Sequence, residues 1–424
     1  MPTDWLPCPG KMNARMSASC CAGLVGQRLD QAQAARCTFP RRHAMGRPGG
    51  AMLLSRRFLI GSALSFAMFS RAANAVSEPG VPAFDRELRV PVRGGNIYAR
   101  VNGNLDGPRA PLLFVHGGPG AALWQFFPAL PLAADRAVIL YDQLDSGRSD
   151  APGNSANWTV ERFVDEIEAI RTALDLQSLH ILGHSWGGIV ANRYAARRPR
   201  GLRSLILQGA PLSARRFKDG VLTLAAELPA EDAALIATRH RDGRAAVDAA
   251  AYRRATTAFM RRYIGRTSMR DVAMPYMAPT PEDRGQAVGD FMVGNDLFGA
   301  GFEGALAGYD DEPLLSRIRV PTLLLRGEFD IVTREGTRAL LPRLRNGSYA
   351  EIAGAGHMAQ FDQPRIWRDT LAAFVARHDN DPARRNRGGQ AGSWRGSAVA
   401  PSPAAPCAAR GVADGGYRGG ARRG

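Results

Sequence analysis

The middle of this chain is punctuated by short apolar runs: Leu112-Leu113-Phe114-Val115, Ala137 to Leu140, Leu179 to Leu182, Leu205-Ile206-Leu207 and Leu323-Leu324-Leu325. Runs that lack polar alternation suit strands buried on both faces. Between the second and third runs, Phe163, Ile167, Ile170 and Leu174 fall on one helical face, and Trp186 to Arg197 reads as a helix after the third. The alternation predicts an α/β class, a mostly parallel central sheet with helices on both sides. Residues 86–103 depart from it and predict an antiparallel hairpin turning near Gly94-Gly95. From about 212 to 312 the alternation stops. Leu222 to Leu235 and Ala245 to Ile264 read as helices there, which predicts a helical insertion capping the sheet.

The formal charge of +16 over 424 residues suggests a polyanion partner until it is located. Residues 1–75 carry ten Lys and Arg against two acidic residues, and 379–424 carry eight against three. The segment 76–378 holds the remaining 37 against 34, so the expected globular body is nearly neutral. All basic residues but Lys11 and Lys218 are arginine, which, with abundant Ala and Gly, marks a compositional bias and argues against a nucleic-acid partner. Cys8, Cys20, Cys21, Cys37 and Cys407 all lie outside 76–378, so the body has neither an internal disulfide nor a thiol nucleophile.

The two ends read differently from the body. Residues 52–75 predict an export signal: Ser55-Arg56-Arg57, an apolar stretch from Phe58 to Phe69, and a small-x-small cleavage site at Ala73-Asn74-Ala75. The pattern resembles a twin-arginine signal, although Leu59 and Ile60 stand where that motif has Phe and Leu. It implies a periplasmic or secreted protein beginning near Val76, with no stable membrane insertion after cleavage. Residues 1–51 then precede the signal as an extension or a mis-assigned start. The Gly-, Arg-, Ala- and Pro-rich tail 379–424 offers almost nothing to a core and reads as disordered.

Chemistry enters at Gly183-His184-Ser185-Trp186-Gly187-Gly188, a Gly-x-Ser-x-Gly pattern between the third run and its helix. A sharp strand-to-helix turn needs glycine where a Cβ would clash, and it thrusts the serine out at the carboxyl edge of the sheet. A serine hydroxyl is a weak nucleophile until a base takes its proton. His357, in Gly354-Ala355-Gly356-His357, follows the strand-like Ser348 to Ile352 and is the candidate base. Asp330, in Arg326-Gly327-Glu328-Phe329-Asp330, is the candidate acid to orient it, with Glu328 as its rival. The order Ser185, Asp330, His357 is that of α/β hydrolases. His116-Gly117-Gly118-Pro119-Gly120 supplies a loop whose backbone approaches closely, so the oxyanion donors are assigned to the Gly118 and Trp186 amides, with Gly117 as substitute. The Gly run lacks the ending and spacing of a phosphate loop or dinucleotide fingerprint, and neither metal nor organic cofactor is called for.

These residues resemble the proline iminopeptidase group of α/β hydrolases, with its tricorn-interacting aminopeptidase and amino-acid amidase relatives. The resemblance covers roughly 85–377. It rests on His116 to Gly120, Tyr141-Asp142-Gln143 through Ser146-Gly147-Arg148-Ser149, Gly183 to Gly188, Val320 to Asp330, and Gly356-His357. It implies an α/β-hydrolase fold and release of an N-terminal residue, often proline, from a short peptide or amide. It also implies a helical cap whose acidic residues bind the free amine of the substrate. Here the family's Gly-Pro-Asn-Glu-Phe-like stretch reads Val293-Gly294-Asn295-Asp296-Leu297-Phe298, so Asp296 stands in for the amine-binding Glu on a shorter arm. Asp145 stands where relatives often have Gly. The competing readings are an esterase, lactonase or amidase that needs no free amine, and a non-catalytic binding protein on the same scaffold. Ser185 argues against dehalogenases and epoxide hydrolases, which place Asp at the nucleophile.

Overall fold

A computed structural model of the chain describes residues 80–243, 246–277, 284–294 and 304–379. The proposed export signal, the segment before it, the tail from 380 onward and Asp296 lie outside the described residues. The expected hairpin forms from β1 (Arg86–Val92) and β2 (Gly95–Asn102), which turn through Gly94 and Gly95, both at positive φ. The five apolar runs become β3 (Leu112–Val115), β4 (Val138–Tyr141), β5 (Leu179–His184), β6 (Leu202–Gln208) and β7 (Thr322–Gly327), and β8 (Gly347–Ile352) completes the sheet. The strand order is β1-β2-β4-β3-β5-β6-β7-β8, with the hairpin antiparallel and every pairing from β4 to β8 parallel.

The apolar runs are explained by two cores, one on each face. Leu113, Val115, Ile139 and Ile181 face a cluster with Phe163, Ile167, Ile170 and Leu174 of the α1 region (α1, Val160–Ala173) and with Ile189 and Val190 of α2 (Trp186–Ala196). Their neighbours Leu112, Phe114, Val138, Leu140 and Leu182 face the opposite way, against Trp367, Leu371 and Phe374. Each fully buried aliphatic side chain contributes on the order of 1.5–3 kcal/mol, and the polar residues buried in these strands, such as His180 and Ser204, are hydrogen-bonded.

Between β6 and β7 the described chain is helical: α3 (Ala214–Ala225), α4 (Ala230–Asp242), α5 (Ala249–Tyr263), α6 (Arg270–Met277) and α7 (Gln286–Val293). The helix expected over Leu222 to Leu235 is in fact two, because Pro229 lacks an N–H and instead opens α4. The helix expected from Ala245 begins at Ala249, where the Asp248 carboxylate caps the Ala251 N–H at 2.8 Å. After β7 come α8 (Arg334–Arg338), α9 (Ala359–Asp362) and α10 (Pro364–Asp379). Among the described residues no helix is long and apolar enough to cross a membrane.

Asp379 corrects the boundary expected for the tail, because it is the buried last residue of α10. Its carboxylate accepts from Arg136 Nη1 and Nη2 at 2.8 and 2.7 Å and lies 3.1 Å from His180 Nε2, whose Nδ1 is 2.7 Å from Ser204 Oγ. Burial raises the Asp379 carboxyl, but His180 and Arg136 outweigh it and hold the group well below the usual carboxylate range. The folded pKa is therefore depressed, and the clamp's stability is present above about pH 4 and lost as pH falls below it. A chain ending at Asp379 is expected to keep the full chain's stability. Asp379→Ala, which leaves buried Arg136 only Asp135 at 3.5 Å and the Ala110 carbonyl at 3.0 Å, is expected to cost about 1.5–3 kcal/mol in urea unfolding at pH 7.

Candidate active site

The carboxyl edge of the parallel sheet gathers the candidate residues. The loops after β3, β5, β6, β7 and β8 carry Gly118, Ser185, Gly209, Asp330 and His357. Ser185 sits between β5 and α2 at φ 53° and ψ −121°, left-handed backbone that a side chain rarely adopts. It is half-buried between buried neighbours, at the N-terminus of α2, where the helix dipole favours negative charge. The glycines around it are there for space. A Cβ at Gly183 would lie 2.3 Å from the Gly187 carbonyl oxygen, and one at Gly187 would lie 2.1 Å from that of Val115. The Ser185 amide donates to the Gln208 carbonyl at 2.8 Å, which ties the turn to β6.

His357 Nδ1 donates to Asp330 Oδ1 at 2.7 Å, and the same oxygen accepts from the Val332 amide at 2.9 Å. Asp330 is fully buried. Burial alone raises its carboxyl, but the charge and hydrogen bond of His357 outweigh it, so the carboxyl stays below its ordinary value and ionised. Glu328 loses the competition on geometry. It is exposed, and its carboxylate accepts from the Gly354 amide at 2.8 Å.

Ser185 and His357 line one cavity of about 160 Å³ with Gly118, Trp186, Gln125 and His184, closed by Pro211, Phe217, Ile264, Ile331 and Met358. The Gly117 amide is already engaged with Gln125 Oε1 at 2.9 Å, which removes it as the substitute oxyanion donor. Among the described residues no hydrogen bond engages the Gly118 or Trp186 amide. Among them, too, no group of three His, Cys, Asp or Glu is placed to hold a metal ion.

Several residues that support the site carry no chemical motif of their own. His116 accepts the Gln143 amide on Nε2 at 3.0 Å and approaches the Gly117 carbonyl through Nδ1 at 2.9 Å; burial pushes its pKa down to about 4, so it stays neutral. Gln143 Oε1 accepts from Trp186 Nε1 at 2.8 Å, joining the loop after β4 to the first residue of α2. Asp142 accepts from the Leu123 and Arg148 amides and from Tyr276 Oη of α6 at 2.5 Å, and burial raises its pKa to about 6. Arg284, just before α7, donates to the Gly147 and Ser149 carbonyls. The stretch from Tyr141 to Ser149 is thus a seat for the cap helices. Asp145 has φ 64°, which explains why glycine suits that position, and its carboxylate accepts from Trp158 Nε1 and the Gly153 amide. His184 lies with its ring 4.5 Å from that of His357 and donates through Nε2 to the His357 carbonyl at 3.1 Å. Burial, then the charge of His357, lowers the pKa of His184 to about 3. Asp296, the residue expected to bind a substrate amine, has no described position.

This fold and edge arrangement are those of the α/β hydrolases, and residues 110–364 match the family model described as the alpha/beta hydrolase fold. The chain belongs to that family and is a hydrolase. Within it the chain falls in the proline iminopeptidase-like group. It is 30% identical over 298 residues to the proline iminopeptidase of Lactiplantibacillus plantarum, covering 68% of this chain and all of that protein. It is 29% identical over 288 residues to that of Heyndrickxia coagulans, covering 68% and 97%. The crystal structure of Mycobacterium smegmatis proline iminopeptidase superposes with a TM-score of 0.63 at 28% identity, over 69% of this chain and 98% of that one.

Gly209 follows β6 at φ 52°, and a Cβ there would lie 2.7 Å from His357 Nδ1 and 2.8 Å from Asp330 Oδ2. Gly209→Ala must therefore displace the His–Asp pair. We expect kcat/KM to fall at least about 100-fold, with an unchanged circular dichroism spectrum.

Proposed function

We propose that this hydrolase works through an acyl-enzyme on Ser185 and releases N-terminal proline or another small residue from short peptides or amino-acid amides. The observation that carries the reading is the shared cavity of half-buried Ser185 and the Asp330-paired His357, with the Gly118 and Trp186 amides on its wall. Ser185 Oγ attacks the substrate carbonyl carbon while His357 Nε2 takes its proton. The oxygen that gains charge is held by the Gly118 and Trp186 amides. His357 passes the proton to the leaving amine, then removes one from the water that splits the ester and returns it to Ser185 Oγ as the acid product leaves. Asp330 fixes the Nδ1–H tautomer throughout and stabilises the imidazolium. The likeness to proline iminopeptidases favours a small N-terminal residue, with Asp296 taking the amine.

A second reading follows from the cavity walls. Pro211, Phe217, Ile264, Ile331 and Met358 suit an uncharged acyl group, so an ester, lactone or blocked amide also fits.

Kinetics on proline and alanine p-nitroanilides, their N-acetylated forms and p-nitrophenyl acetate separate the two. The aminopeptidase reading expects Asp296→Ala to raise KM for the free-amine substrates alone, and equal turnover of blocked substrates rejects it. Ser185→Ala is expected to abolish fluorophosphonate labelling, and retained labelling rejects the acyl-enzyme. Asp330→Asn, which favours the wrong tautomer of His357, is expected to lower kcat by about 10⁴-fold.

A further inference from the structure

The last carbonyls of a helix have no partner within it and must find one elsewhere. At the end of α5 that partner is the base loop. The His357 amide donates to the Tyr263 carbonyl at 2.9 Å, and the Met358 amide donates to the Ile264 carbonyl at 2.8 Å. Gly356 lies so close that a Cβ there would come within 2.9 Å of the Ile264 oxygen. The cap chain then turns through Gly265, and Asp362 of α9 meets it. Asp362 Oδ1 accepts the Arg266 and Thr267 amides at 2.9 and 2.8 Å, while Oδ2 accepts the Gly356 amide at 2.8 Å. The Arg266 guanidinium lies 4.4 Å from the ring centroid of Phe329, the neighbour of Asp330. The acid and base loops are themselves in backbone contact, since a Cβ at Gly327 would lie 2.1 Å from the Gly356 oxygen.

We propose that Asp362 is a positioning residue that fastens the cap turn at 266–267 to the Gly356 amide and so sets the place of the His357 base. The proposal rests on the reading of His357 as base and extends it. In this role the cap is part of the catalytic frame, because a shift of the α5–α6 turn moves the backbone on which the imidazole is mounted. The requirement for a carboxylate is geometric. Both oxygens accept, each from a different loop, and asparagine has only one oxygen to offer. In Asp362→Asn the side-chain NH2 must face one set of amides, so one loop is released while size and shape are kept.

Asp362→Asn and Asp362→Ala in the full chain test this, with folding checked by circular dichroism. Misplacing the base is expected to lower kcat about 10- to 100-fold, with a smaller change in KM. Amide hydrogen exchange gives a readout independent of the serine chemistry. The 263–268 and 354–358 segments of both variants are expected to exchange about tenfold faster than wild type, with β5 unchanged. Wild-type kcat in both variants overturns the proposal, as does exchange that is unaltered in both segments, or a loss that falls on KM alone. If Ser185→Ala retains activity, the acyl-enzyme reading fails on that result, while the exchange data still decide whether Asp362 joins the two loops.

Discussion

The backbone of Ser185 is held where a serine would not rest by itself, and much of the surrounding structure is needed to hold it there. Left-handed φ at a residue with a side chain costs on the order of 1–3 kcal/mol and persists only when its surroundings over-determine it. Here the constraint comes from three strands. The Ser185 amide is bound to β6 through Gln208, and Gly187 packs on the carbonyls of Val115 and His116 at the end of β3. Gly183, the fifth residue of β5, admits the Gly187 carbonyl. A side chain at any of these glycines would push α2 off the sheet. The parallel order β3-β5-β6 is thus the condition under which Ser185 lines the cavity together with Gly118 and Trp186.

The same economy of space governs the His–Asp pair. Gly209 after β6 leaves room for the His357 ring and the Asp330 carboxylate, and Gly327 lets the acid loop touch the base loop. Two neutral imidazoles back the site, His116 under the oxyanion loop and His184 against His357, both depressed by burial. Their neutrality matters for charge. A cationic ring 4.5 Å from His357 would oppose the imidazolium that the proposed mechanism requires, whereas a neutral donor to its carbonyl positions the loop at no electrostatic cost.

How much of this was legible follows from which residues announce themselves. Apolar runs report strands directly, since burial on both faces leaves no room for polar alternation, and five of the eight strands were readable as such runs. Ser185, Asp330 and His357 were readable as the proposed nucleophile, acid and base because each follows a strand in the order expected of the fold. Asp142 was visible only as part of a motif, and its bond to Tyr276 spans 134 residues, a distance no local pattern reports. Asp362 had no signal at all: an acidic residue five positions beyond the base reads as a solvated helix residue until the cap turn is seen on top of it. The break between α3 and α4 did have a signal, Pro229, which outweighs the apolar periodicity running across it. Asp379 was misjudged because composition assigns a terminal Asp-Asn-Asp stretch to a solvated tail, whereas buried Arg136 requires a counter-charge and His180 a hydrogen-bond partner.

The cap therefore has two jobs, which the sequence separates poorly. One is to close the cavity, through Phe217 of α3 and Ile264 after α5. The other is to be seated, through Tyr276 on Asp142, Arg284 on the Gly147 and Ser149 carbonyls, and the α5 carbonyls on His357 and Met358. Gly120 and Gly285 meet so closely that a Cβ on either would strike the other's carbonyl, which brings the start of α7 against the oxyanion loop. Residues that seat the cap reach the base loop and the oxyanion loop alike. Changes in cap sequence that alter which substrate enters must keep these contacts, because they also hold the loops that carry the proposed base and oxyanion donors. The cap therefore closes the cavity with apolar side chains, Phe217 and Ile264, and is seated by polar side chains and closely packed backbone that leave less room for substitution.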